Sequence, residues 1–188
     1  MQATEVLKHE HRAIERMLLV LEGAAQRLEQ GEAIAPQIFE DALDFVRTFA
    51  DACHHGKEED TLFPFLEVQG IPREGGPIGI MLMEHEQGRQ FVRAMAQAVA
   101  RYEQGDGAAG ADIIENARGY VGLLREHILK EDNVLFPMAD QVLSVADQQA
   151  LVARFEEVER ERIGEGEHER LEQVLEDLER VMRLRSPE

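Results

Sequence analysis

HHGKEEDTLFP at 54–64 and HILKEDNVLFP at 127–137 carry His, Lys, Glu, Leu, Phe and Pro at matching positions, 73 residues apart. A shift of 74 pairs Glu10-His11 with Glu84-His85. Each half of the chain thus holds one segment with a single His and one with His-x-x-x-Glu, an internal repeat that predicts a pseudo-twofold arrangement. In an α-helix, residues four apart share a face about one turn from each other. His54 with Glu58, and His127 with Glu131, therefore present an imidazole and a carboxylate to the same side.

Outward from these motifs, apolar residues recur at helical spacing. The first segment, with Thr4 read as its N-cap, runs Leu7, Ile14, Leu18, Leu21, Ala25, Leu28, and His11 fills the missing slot. The second starts at Pro36, a residue suited to a first helical turn, and continues Phe39, Leu43, Val46, Ala50, His54, Glu58, Leu62. QGIPREGGP at 69–77 ends it. A third, from about Ile78 to Arg101, shows Ile78, Met81 or Leu82, His85, Val92, Met95 and Val99. After QGDGAAGA at 104–111 the fourth reads Ile113, Ala117, Tyr120, Leu124, His127, Glu131, Leu135. Four such helices on short connections predict an all-α fold, an antiparallel up-down-up-down four-helix bundle over 1–140. Residues 141–188 form an acidic extension of two additional helices, one with Leu151, Phe155 and Val158, the other, after Gly164 and Gly166, with Leu171, Val174, Leu175, Leu178 and Met182. Their stripes need cover, from the bundle's outside or from a second copy in a homodimer.

Composition narrows the partners. With 20 Lys and Arg against 38 Asp and Glu, the net charge is −18, which repels phosphate backbones and anionic membranes. Neither nucleic acid nor a membrane is expected as a partner. A single cysteine, Cys53, admits no intrachain disulfide and fits a reducing compartment, and no signal-like or spanning apolar stretch opens the chain. A cytoplasmic location is expected. Trp is absent and aromatics are 5%, favouring helices over strands.

One His in an apolar stripe is more often a hydrogen-bonded core residue than a ligand. Six polar residues aligned on four stripes, His11, His54, Glu58, His85, His127 and Glu131, are different. Buried without a metal they cost several kcal/mol for each charge left unpaired. Carboxylates bridge two hard or borderline cations while imidazoles cap each from outside, the logic of di-iron and di-manganese bundles, here with the spacing reversed from Glu-x-x-His.

These residues resemble the hemerythrin-like family, the HHE cation-binding domains. The likeness spans Leu7 to Pro137 and rests on Glu10-His11-Arg12, His54-x-x-x-Glu58 with KEEDTLFP, GPIGIMLMEHEQGR around His85, and His127-x-x-x-Glu131 with LFP. It implies two non-haem iron ions joined by an oxo or hydroxo bridge, with His11, His54, His85 and His127 as terminal ligands and Glu58 and Glu131 as bridges. Oxygen-carrying hemerythrins have two His one turn apart on the third helix, whereas Met81 stands four residues before His85. They use His-x-x-x-x-Asp on the last helix, a spacing Asp132 offers, although the repeat pairs Glu131 with Glu58. The resulting four-His, two-carboxylate set resembles bacterial proteins tied to nitric oxide and peroxide chemistry or iron-centre repair. It implies a more open pair that binds and reacts with O2, H2O2 or NO, ahead of an oxygen or iron carrier or a redox sensor.

Tyr120, two turns before His127, reads either as a hydrogen-bond donor to a bound ligand or as a core-boundary tyrosine. His55 is turned about 100° from His54 and reads as outside or at a boundary, so its loss should leave the metal in place. His168 reads as solvated and Cys53 as a packed small hydrophobe. Glu10, Glu84, Lys57 and Lys130 flank the ligands, either orienting them or as surface charge.

Overall fold

The computed structural model describes residues 2–164 and 166–183. Over these the chain is helical, with no strand among the described residues. Helix α1 (Ala3–Glu29) starts under a capping box in which Gln2 and Glu5 exchange side-chain and backbone bonds. Thr4 is therefore not the cap: it is buried inside the helix, and its hydroxyl donates to Asp140 at 2.7 Å.

The second rod is composite. Helix α2 (Pro36–Phe45) has Pro36 in its first turn and passes into π-helical turns at Val46–His55 and again at Glu58–Leu62, then ends in α3 (Phe63–Val68). Helix α4 (Pro77–Glu103) is regular. The fourth rod is α5 (Ala109–Lys130), a π-helical turn at Glu131–Leu135, and α6 (Phe136–Val142). Each π turn contains or begins at a residue of the two repeated motifs. Wide i→i+5 turns are rare and concentrate at functional sites.

The four rods form a helical bundle. Along α1 and the fourth rod the pairs Glu29–Arg118, Glu22–Arg125 and His11–Asp132 descend one helix as they climb the other. Between α4 and the second rod, His85–Glu59 and Arg89–Asp51 do the same. Two apolar clusters fill the interior. The larger holds Ile14, Leu18, Phe39, Phe45, Phe49, Met95 and Leu124, and the smaller Leu7, Leu62, Phe63, Ile78, Leu135 and Phe136. The polar residues of the four stripes lie between them. Met81 belongs to the smaller cluster.

Helix α7 (Val145–Arg162) has Ser144 as N-cap, bonded reciprocally with Asp147. Gly164 and Gly166, at φ 91° and 82°, turn the chain toward α8 (Glu167–Met182), a conformation that favours glycine. The cover for their stripes is the bundle itself. Leu171, Leu175, Leu178 and Met182 enter the larger cluster, and Leu151 and Phe155 the smaller. Arg16 of α1 grips Glu179 of α8 through Nε at 2.8 Å and Nη2 at 2.6 Å.

Because Leu175 is fully buried in the bundle's own cluster, we expect Leu175→Ala to destabilise the whole chain by about 2–5 kcal/mol. Chemical unfolding followed by circular dichroism reads this as one cooperative transition at lower denaturant. An unchanged midpoint would show that α8 is not part of the cooperative unit.

Candidate metal centre

Five imidazoles and two carboxylates converge in the polar layer, one more imidazole than the sequence motifs predict. His11 comes from α1, His54, His55 and Glu58 from the second rod, His85 from α4, and His127 and Glu131 from the fourth. All seven are buried. His11, His54, Glu58 and Glu131 place one donor atom each within 4.8 Å of one another, and so do His55, Glu58, His85 and His127. Glu58 is common to both groups.

His55 corrects the sequence reading. A strict α spacing turns it away from His54, but within the wide turns of Val46–His55 five residues, rather than four, carry the inner face forward from Ala50. His54 and His55 therefore both reach the interior. The His55 ring stacks on His85 with centroids 3.8 Å apart. The repeat gives no signal for it, because the partner of His55 is the apolar Ile128 and several other positions of the two motifs differ as well.

Every imidazole is oriented in the same way. Nδ1 of His11 donates to Asp132 at 2.8 Å, that of His54 to Glu10 at 2.9 Å and that of His85 to Glu59 at 2.7 Å. Nδ1 of His127 donates to Glu84 at 2.9 Å, and that of His55 to Asp51 at 3.3 Å. A carboxylate only accepts, so each ring carries a proton on Nδ1, and where the ring is neutral Nε2 is bare. Against the opposing effect of burial, Glu131 and Glu84 raise His127 to about 9 and Asp132 and Glu131 raise His11, which favours a second proton on the inner nitrogen of these two rings. The Nε2 atoms face inward: those of His11 and His127 lie 3.2 Å from Glu131, that of His54 3.5 Å and that of His85 3.4 Å from Glu58. Nε2 of His85 and His127 stand 3.0 Å apart.

Cations tie down the outer carboxylates in turn. Lys57 pairs with Glu10, Lys130 with Glu84 and Arg12 with Asp132. Arg89 reaches both Asp51, at 2.9 Å, and Glu59, at 2.6 Å. The repeat thus extends beyond the ligand positions, since Glu10, His54 and Lys57 correspond to Glu84, His127 and Lys130. The Phe residues of the two LFP motifs obey it as well: Phe136 stacks on His11 at 5.4 Å and Phe63 on His85 at 5.9 Å.

The inner carboxylates are electrostatically strained. Burial, together with the facing Glu131, pushes the Glu58 carboxyl well above its ordinary range. Burial pushes Glu131 the same way, but His127 and His11 overcome it and hold this carboxylate ionised. Burial lowers His54 to about 4 and His85 to about 3, keeping both rings neutral as donors. Neither oxygen of Glu58 or Glu131 has a hydrogen-bond partner, nor does Nε2 of His11 or His55. Buried polar atoms are seldom left so, and here they are the atoms able to hold cations. The residues present fit a metal pair.

Asp132, offered by spacing as an alternative to Glu131, instead orients His11. A cavity of about 130 Å³ lies against the site, lined by Val46, Asp51, His55, His85, Arg89 and Tyr120. Tyr120 is buried and forms part of this wall. Cys53 is buried, and burial raises its thiol to about 12, in keeping with a packed hydrophobe. His168 is not simply solvated: its ring meets the edge of Phe49 at 5.1 Å and lies 3.5 Å from Glu159. No helix among the described residues is long and apolar enough to cross a membrane.

Two of the curated proteins similar to the chain are Uncharacterized protein Rv1995 of Mycobacterium tuberculosis and Uncharacterized protein Mb2018 of Mycobacterium bovis. Each is 24% identical over 180 residues, covering 96% of this chain and 70% of the relative. No solved structure matches. The family model described as hemerythrin HHE cation binding domain matches residues 2–139, the segment that supplies all seven inward side chains, and the chain therefore belongs to that family.

Proposed function

We propose that the chain holds two non-haem iron ions between Glu58 and Glu131 and uses them to bind and react with O2, peroxide or NO in oxidative or nitrosative defence or iron-centre repair. The observation that carries this reading is the common orientation of five imidazoles, each fixed through Nδ1 with Nε2 directed at two unpartnered carboxylates. His55, His85 and His127 would hold one ion and His11 and His54 the other, with Glu58 common to both groups and Glu131 3.2 Å from both His11 and His127. Mixed oxygen and imidazole donors shared by two ions suit iron better than zinc, which favours closed four-coordinate sites.

Iron bound there supplies Lewis acidity and one-electron steps. The chain supplies the rest. Carboxylates on every Nδ1 fix the tautomer and raise the basicity of the rings. The apolar clusters on either side exclude water, and Arg89 closes the outer edge beside the cavity. That cavity has room for a small molecule next to His55 and His85, with Tyr120 in its wall. Three imidazoles on one side and two on the other would leave the His11 and His54 side with fewer protein donors, while the cavity opens on the His55 and His85 side.

His55 favours a second reading, the oxygen carrier. The case for a short-lived complex rests on Met81 removing an imidazole, and His55 restores the count from another helix. Anaerobic reduction followed by stopped-flow mixing with O2, NO and peroxide separates the two. We expect turnover of peroxide or tight NO binding by the reduced protein. A stable complex that releases O2 unchanged would install the carrier reading instead.

Ligand substitutions test the centre directly. We expect Glu58→Ala and Glu131→Ala to lose most of the iron. His55→Ala should also lower it, by roughly one ion per chain, whereas replacing the exposed His9 of α1, in His9→Ala, should retain two, as measured by metal analysis and near-ultraviolet absorption. Full retention of iron in His55→Ala would return that residue to a packing role, and retention in all three variants would overturn the centre.

Removing the metal should also destabilise the fold, because a ligand bound only by the native state adds RT ln(1 + [L]/Kd), about 4 kcal/mol at a thousandfold excess over Kd. Stripping the protein with a chelator should therefore lower its unfolding temperature, and restoring ferrous iron should recover it. In Glu58→Ala the same treatment should change little. An unchanged unfolding temperature in the wild type would speak against a native metal centre.

A further inference from the structure

The repeat predicts equal surroundings for Lys57 and Lys130, but the structure makes them unequal. Lys130 pairs with Glu84 and its side chain is 39% exposed. Lys57 pairs with Glu10, and its side chain is 1% exposed. The difference is α7. Glu159 lies over Lys57 and accepts from Nζ at 2.8 Å. Its other oxygen stands 3.5 Å from His168 of α8, and Arg162 ties the same end of α7 to Asp60 of the second rod.

Glu159 lies outside the matched family segment, which ends at residue 139. A short path nevertheless joins it to the centre: Glu159 to Lys57, Lys57 to Glu10, and Glu10 to Nδ1 of His54 at 2.9 Å. Glu10 accepts from both Lys57 and His54, so the ammonium sets where the carboxylate lies, and the carboxylate sets the plane of the ring. Without Glu159 the ammonium has one anion instead of two, and a long side chain regains rotamer freedom. On the other half, Lys130 reaches solvent and is held by Glu84 alone.

We propose that Glu159 is a positioning residue: through Lys57 and Glu10 it fixes His54, so that the C-terminal helices govern how firmly the metal on the His11 and His54 side is retained. The inference rests on the two-metal reading above. It assigns α7 and α8 a role in the centre in addition to covering apolar surface, and it falls on the side with fewer imidazoles, where loss of one well-oriented donor matters more.

Release of iron from the full-length loaded protein into a chromophoric chelator is the test. For the wild type we expect two phases, one per ion. Glu159→Ala should speed one phase by about tenfold, the lower end of the effect of losing a residue that orients a ligand, and leave the other unchanged. Glu159→Gln keeps an oxygen acceptor for Lys57 and should restore most of the retention. Lys130→Ala should act on the opposite phase. Mössbauer spectra should assign the perturbed phase to one iron environment. Unfolding of the metal-free variants separates positioning from packing: a packing role lowers the midpoint of the apo-protein and accelerates both phases together, and that result overturns the proposal. Two unchanged phases in Glu159→Ala overturn it as well. A wild-type chain that does not retain two ions overturns both this inference and the reading on which it rests.

Discussion

Two carboxylates, Glu58 and Glu131, face one another in a dry interior with no hydrogen-bond donor assigned to either, and the architecture around them follows from that constraint. Like charges at such a separation repel strongly where water is excluded. Burial and the facing Glu131 push Glu58 toward its protonated form, whereas Glu131 stays ionised beside His127 and His11. Burial holds the rings of His54, His55 and His85 neutral with their proton on the far nitrogen, so they offer lone pairs to the interior, while His127 and His11 hold Glu131 ionised. On the two-metal reading proposed above, cations entering between the two carboxylates would relieve this strain.

Acceptors cannot orient themselves, and this accounts for the layers outside them. Asp132, Glu10, Asp51, Glu59 and Glu84 hold the rings, and Arg12, Lys57, Arg89 and Lys130 hold those carboxylates. Charge alternates outward from the centre. A chain of net charge −18 places cations where an unpaired anion would distort a ligand. Isolated surface pairs contribute little to stability, whereas these limit the motion of buried groups, so their effect belongs in metal retention more than in unfolding free energy.

Much of this was legible in the sequence. The repeated His-x-x-x-Glu and the two inward histidines sit at α-helical spacing, and the structure brings all six side chains together. The all-helical class and the breaks between segments were equally clear, because apolar periodicity and glycine-rich turns are local signals. His55 was not legible, since its direction depends on i→i+5 turns that no apolar pattern marks and that strict α counting excludes. The pairing of Lys57 with Glu159 was hidden for another reason: it joins residues about a hundred positions apart, Lys57 reads equally as an orienting residue or as surface charge, and Glu159 in its acidic run looks like solvated charge. The same holds for α7 and α8, whose stripes announced that they needed cover without indicating where.

The repeat explains how one centre comes to have two unequal halves. Duplicated helices give matched ligands, matched orienting carboxylates and matched Phe rings, which by themselves build two equivalent metal positions. Two additions break the equivalence. His55, in place of the apolar Ile128, adds a donor on one side. On the other, α7 closes over Lys57 and stiffens the support of His54. On the two-metal reading, one position would be strengthened by an extra ligand and the other by a firmer frame around fewer ligands. The cavity opens on the His55 and His85 side, so space for a small molecule and the extra imidazole fall on one half, and the frame that α7 adds through Glu159 and Lys57 falls on the other.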